Sequence, residues 1–323
     1  MRLVSTVGES RAFEGPDAEI VESFAGLLGC GGCHGLAQSI DFSDLLGERP
    51  PWGDADEAIE TIGALAPDLG DRLEAIHAGL LVALFADELD PDAIGMAKAM
   101  ARGLGCNDEM VDRALEVASE GAVSAKADLF RRFLSERIDV DAAIIQRHMD
   151  RHDLASLTRP ATIDRYHRLI AEAPVGSLGA EMRRFYGDAS FDIPGSPGVP
   201  LPVEFLASHD IHHVLAGYGT SAQGEAYTAV FNAGNATAGI GWLTVVLLQW
   251  HQGIQLGVFP EGHSHLDPAV MADAARRGSQ TTTDLYDAHW DWMSLLEKPL
   301  DEVRASMGVP EGGQVVDGGF WGP

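Results

Sequence analysis

The residues in this chain best suited to chemistry are His209-Asp210-Ile211-His212-His213, followed after eleven residues by Glu225. On a helix each residue turns the chain by about 100°, so His213 falls near 40° and Asp210 near 100° from His209. The three share one face, and His212 points away from Asp210. Gly217-Tyr218-Gly219-Thr220 should break that helix, and Thr220 with Gln223 makes a capping-box pattern for the next. Glu225 is then expected in the second turn of the new helix, one short hairpin from the histidines. Two imidazoles and two carboxylates on such a pair are suited to a divalent metal, with His209, Asp210, His213 and Glu225 as ligands. Zinc is the leading expectation, with iron, manganese and magnesium open; for iron, two histidines plus a carboxylate are an oxygen-activating set. A solvated helix face is the plainer reading of the same residue types. Against it, Phe205, Leu206 and Val214-Leu215-Ala216 embed the cluster in apolar sequence, where unpaired charge is costly.

The elements that must position these residues are helices. Val21, Phe24, Leu27 and Leu28, then Leu73, Ile76, Leu80, Leu81 and Leu84, fall at helical spacing. Asp90-Pro91 reads as a helix start, and Gly103, Gly105 and Gly187 as ends. No alternating strand pattern or hairpin signal is present, so the expected class is all-α. The expected organisation is an N-terminal helical domain over 1–159, a metal-binding domain over 160–310 with its site on a helix pair, and a flexible Gly-rich tail over 311–323. Prolines 194, 197, 200 and 202 stiffen the loop before the motif.

Composition removes several classes of function. With 22 Lys+Arg against 49 Asp+Glu the net charge is −27, which repels nucleic acid and anionic membrane surfaces alike. The residues from Met1 to Glu19 carry no export pattern, and three cysteines make no disulfide framework, so a cytoplasmic setting is expected. Cys30-Gly-Gly-Cys33-His34 matches the c-type haem pattern, but without export no haem is expected, and buried small cysteines are the preferred reading. His263-Ser-His265 with Asp267 sits among Pro260, Gly262 and Pro268, and reads as a polar loop. The stretch Ala226–Pro260 has no Asp, Glu, Lys or Arg. Its dense apolar part is too short for a span, so it reads as a buried or lipid-touching helix.

His209-Asp210-x-x-His213 with Glu225 resembles the signature of the Coq-four family of ubiquinone (coenzyme Q) biosynthesis proteins. Pro174-Val-Gly-Ser-Leu-Gly179 with Met182, Phe185 and Tyr186 resembles the family's segment upstream of the motif. Arg276-Arg277-Gly278, Trp290-Asp-Trp292 and Pro299-Leu-Asp-Glu-Val-Arg304 resemble its C-terminal helices. The likeness runs from about Ala161 to Val309; nothing in the family matches residues 1–159. It implies a helical domain whose metal is held by His209, Asp210, His213 and Glu225, with an apolar groove for a prenyl tail. It also implies removal of the ring carboxylate of a prenylated hydroxybenzoate-type precursor and hydroxylation there. The partners it implies are that precursor or another isoprenoid lipid, and other quinone-biosynthesis enzymes. Peripheral contact with the inner membrane face and a homodimer are compatible with it.

A substrate carboxylate in an apolar groove needs a cation, and a guanidinium grips it bidentately. Arg183, Arg184 and Arg277, with Arg276 beside them, are the expected partners. Gly234, Gly239 and Gly241 are expected to leave room for the tail beside the charge-free helix. Two other functions fit the same residues. One is a non-catalytic prenyl-lipid scaffold. The other is a metal-dependent hydrolase, which would want His167 and Asp267 in the shell.

Overall fold

A computed structural model describes residues 123–236, 242–247, 266–315 and 319–321, with scattered positions between 60 and 112. The described elements are helical; no strand occurs among them, and Ser177 and Pro299 form a single isolated bridge. The all-α expectation therefore holds for these residues. Among them, no helix is long and apolar enough to cross a membrane. Cys30, Cys33, Asp90, Gly239, Gly241, His263 and His265 lie outside the described residues.

Eight α-helices carry the argument. They are α1 (Val123–Arg137), α2 (Ala142–Asp150), α3 (Pro160–Glu172), α4 (Leu178–Ala189), α5 (Val203–Ala216), α6 (Ala222–Asn235), α7 (Pro268–Gln280) and α8 (Leu300–Met307). Their starts follow capping chemistry. Asp141 accepts from the Ala143 amide at α2, Ser177 from Ala180 at α4, and Pro160 opens α3 at a position that has no amide to lose. Pro202 offers α5 no cap, and the Thr158 hydroxyl instead accepts from the Val203 amide at 2.9 Å.

Two helices form the centre. All of α5 except Glu204 is buried, as is α6 from Gly224 to Gly234. A helix buried all round must satisfy its polar side chains internally, and the histidine cluster does so only in part: His212 Nδ1 and Glu225 Oε2 are buried without an aligned hydrogen bond. Helix α7 lies directly on α6. A Cβ at Gly234 would stand 2.3 Å from the Ala275 carbonyl oxygen, and one at Gly278 would stand 1.9 Å from that of Phe231. The space expected beside Gly234 for a prenyl tail is therefore taken by the α7 backbone. That glycine serves helix packing.

Residues before and after the expected boundary at 159/160 share one core. Phe133 of α1 stacks on Trp242 with ring centroids 4.8 Å apart and meets Phe205 of α5 edge-on at 5.9 Å. Within the expected tail, the described residues 311–315 and 319–321 make contacts with the helices. Trp321 is 1 % exposed, its indole donates to Glu181 at 2.8 Å, and its ring packs on Phe185. Gln314 and Val315 donate their amides to the carbonyl of Gly217, the left-handed residue that ends α5. Burying one large indole and pairing its N–H offsets part of the chain entropy lost by ordering the residues around it.

Candidate metal centre

His209 and His213 stand one turn apart on α5, and Glu225 enters from the first turn of α6. The cap of α6 is Ser221, which accepts from the Gly224 amide at 3.1 Å, while the Thr220 hydroxyl bonds to the Trp321 carbonyl. The helix thus starts one residue later than the Thr220–Gln223 pattern predicts, and Glu225 moves from the second turn to the first. The two imidazole Nε2 atoms are 3.2 Å apart, and Glu225 Oε2 is 3.3 Å from each. All three residues are buried, and Oε2 makes no aligned hydrogen bond.

This spacing passes a simple test for a metal. Two ligands on bonds of about 2.1 Å in a tetrahedral shell are about 3.4 Å apart. The three donor atoms match that spacing within two tenths of an ångström, and they are two nitrogens and one carboxylate oxygen. A buried group made of His209, His213 and Glu225 could hold a metal ion.

The surroundings orient the ligands. His213 Nδ1 lies 3.1 Å from the carbonyl oxygens of Tyr218 and Gly219 and 3.1 Å from the Thr228 hydroxyl. An Nδ1–H donated to those carbonyls leaves the Nε2 lone pair facing His209 and Glu225, the arrangement that ligating histidines need. Trp242 stands edge-on to His209 with centroids 5.6 Å apart, and Phe185 flanks His213 at the same distance. Burial opposes charge at Glu225, but the two imidazoles outweigh it and hold its carboxyl down at about 2. At His209 burial prevails and lowers the pKa, whereas at His213 the attraction of Glu225 overcomes burial and raises it.

Searches against protein-family models, curated proteins and solved structures return no match to this chain.

Asp210 stands apart from the ligand group that converges. Its Oδ2 accepts from the Tyr186 hydroxyl at 3.0 Å, and Tyr186 is 2.7 Å from the hydroxyl of Tyr166. Burial pushes the Asp210 carboxyl up to about 7, against the pull of His213 and the Tyr186 hydrogen bond. The same burial raises both tyrosines well above the usual phenol range. The helical angle that separates Asp210 from His213 turns its side chain toward α4, where the Tyr186 hydroxyl meets it.

The arginines expected to meet a substrate carboxylate are engaged elsewhere. Arg183 donates to the carbonyls of Ile170 and Ala171, and Arg184 pairs with Glu181. Arg277 is buried and donates to the carbonyls of Ala216 and Pro310, tying α7 to the end of α5. Exposed Arg276 pairs with Asp273. His167 Nε2 bonds the Pro194 carbonyl, away from the metal group, and Asp267 accepts no place in it either.

Two residues near the site carry no weight in the sequence reading. His212 is buried with Nε2 3.2 Å from the Leu285 carbonyl, its ring stacked on Trp290 at 5.9 Å. Burial holds its pKa well below that of a free imidazole. Arg137, at the end of α1, is buried with its guanidinium 5.1 Å above the Tyr286 ring. Nothing local marks Arg137; it sits far upstream of the motif, in an ordinary basic helix terminus.

Proposed function

We propose that this chain is a metal-dependent quinone-biosynthesis protein acting on a prenylated aromatic acid, replacing the ring carboxylate with a hydroxyl. The observation that carries the reading is the meeting of His209 Nε2, His213 Nε2 and Glu225 Oε2 at 3.2–3.3 Å in a buried site. Three protein ligands leave coordination positions open for water or substrate, as catalytic sites require and closed structural sites do not. A divalent ion there supplies Lewis acidity to the ring oxygens of a phenol-carboxylate. The resemblance of His209-Asp210-x-x-His213 and Glu225 to the Coq-four signature supplies the substrate class.

The chain's own residues have definable tasks in this reading. Thr228 and the Tyr218 and Gly219 carbonyls fix the His213 ring. Trp242 and Phe185 exclude water from the ligand pair. Tyr186 donates a hydrogen bond to Asp210 Oδ2 and holds that carboxyl toward α4, outside the ligand group.

The test is turnover. Metal-loaded protein is incubated with 3-geranyl-4-hydroxybenzoate in water with dioxygen as the two-electron acceptor, so that water supplies the new hydroxyl, the carboxylate leaves as carbon dioxide and dioxygen leaves as hydrogen peroxide; carbon dioxide and the hydroxylated ring are followed by mass spectrometry. Glu225→Gln is the control. Product that disappears in the variant supports the reading. Tight binding of the acid without product favours a scaffold, and hydrolysis of a phosphate ester instead would favour a hydrolase.

A further inference from the structure

Among the described residues two arginines are buried, Arg137 and Arg277. Their situations differ. Every nitrogen of the Arg277 guanidinium donates to a carbonyl oxygen. Arg137 reaches only the Asp287 carbonyl, through Nη1 at a long 3.5 Å, while its Nη2 is fully buried without a hydrogen-bond partner. No carboxylate lies within ion-pair distance of it among the described residues. A buried cation of this kind is costly unless an anion or a full set of acceptors meets it.

Its position relates it to the metal centre. The Tyr286 ring beneath the guanidinium lies 5.3 Å from the His212 ring and 5.7 Å from that of Phe133. Phe133 stacks on Trp242, which in turn meets His209. Asn232 lies seven residues after Glu225, on the same side of α6 and beside the Tyr286 hydroxyl. It too is buried, with neither polar atom of its carboxamide in an aligned hydrogen bond. The cluster therefore holds a buried guanidinium nitrogen and a buried carboxamide that both lack an aligned hydrogen bond. A divalent ion on two neutral imidazoles and one carboxylate keeps a net positive charge, and Arg137 adds to it. Asp284 and Asp287 lie near enough to favour the Arg137 charge, but neither reaches ion-pair distance, and Asp210 is engaged by Tyr186.

We infer that Arg137 is the cation that receives the carboxylate of an aromatic acid bound at the metal centre, and that it sets the preference of the site for acid over neutral phenol. The inference rests on the proposed reading of the centre. It replaces Arg183, Arg184 and Arg277 in the task that the sequence assigns to them, because those three are already satisfied by other partners. Tyr286 supports the guanidinium from below by cation–π contact and leaves its donor edge for the ligand.

The experiment compares two probes by equilibrium dialysis without oxygen: 3-geranyl-4-hydroxybenzoate and its decarboxylated counterpart 2-geranylphenol. Both are offered to metal-loaded wild type, Arg137→Gln and Arg137→Lys. Wild type is expected to bind the acid about tenfold to a hundredfold more tightly than the phenol, the range of a charge-assisted hydrogen bond. Arg137→Gln should lose that preference while keeping its metal content and its affinity for the phenol. Arg137→Lys, which keeps the charge without the fork, should retain part of it. An acid preference that survives in a folded Arg137→Gln protein overturns the assignment and leaves the functional reading standing. Equal binding of both probes by wild type overturns the assignment without any variant, should the variants fail to fold. Binding of neither probe by wild type overturns the functional reading and the assignment with it.

Discussion

His213 Nε2 and Glu225 Oε2 face each other at 3.3 Å in the protein interior, one from the last turn of α5 and one from the first turn of α6. With His209 Nε2 equally near the carboxylate, the three atoms form a triangle of donors to an ion. Elemental analysis of purified protein should find about one divalent ion per chain. Glu225→Gln and His213→Ala should each lose most of it. Removing the ion with a chelator should lower the melting temperature, because an ion present at a hundred times its Kd stabilises the folded state by about 2.7 kcal/mol. A metal-free preparation with an unchanged melting temperature on adding zinc, iron, manganese or magnesium would count against the centre.

Thr228 touches the far nitrogen of His213, and its role is orientation. Thr228→Val should weaken metal affinity by about tenfold, the low end for outer partners of a ligand, since two carbonyls still hold Nδ1. Competition with a chromophoric chelator measures this. The variant should fold, and a loss of affinity no larger than that of a surface control would remove Thr228 from the site.

Gly234 and Gly278 let α6 and α7 meet backbone to backbone. Gly278→Ala should destabilise by about 1–3 kcal/mol or more and loosen Glu225 with its helix. Gly187→Ala is the matched control. It lies exposed within α4 with nothing near its Cβ position, and there alanine should stabilise by up to about 1 kcal/mol. Denaturant titration of both variants distinguishes packing glycines from indifferent ones.

Trp321 closes the fold from the far end of the chain, over Phe185, which itself flanks His213. Trp321→Ala should cost about 3–5 kcal/mol, as for other buried indoles. A tail that is merely attached would tolerate the change, and the melting temperature would not move.

Some of this was legible in the chain because it is local. Helical class follows from apolar spacing, and the pairing of His209 with His213 follows from residues four apart lying one turn above the other. The approach of Glu225 follows from a short break between two helices, even though Ser221 rather than Thr220 supplies the cap. What lies between helices was not legible. Asp210 has the right type and the right neighbourhood, but its angle on α5 delivers it to Tyr186 of α4. Arg277 looked like a ligand for an anion, yet the close α6–α7 packing places it where the last carbonyls of α5 need donors. Arg137 had no motif around it; Phe133, one turn earlier, stacks on Trp242 beside His209, and Arg137 itself lies over Tyr286, which neighbours His212. Spacing rules act along one helix, through a rotation per residue that every sequence shares. The partner of a buried charge is chosen across helices, by which side chains the packing brings within hydrogen-bond reach.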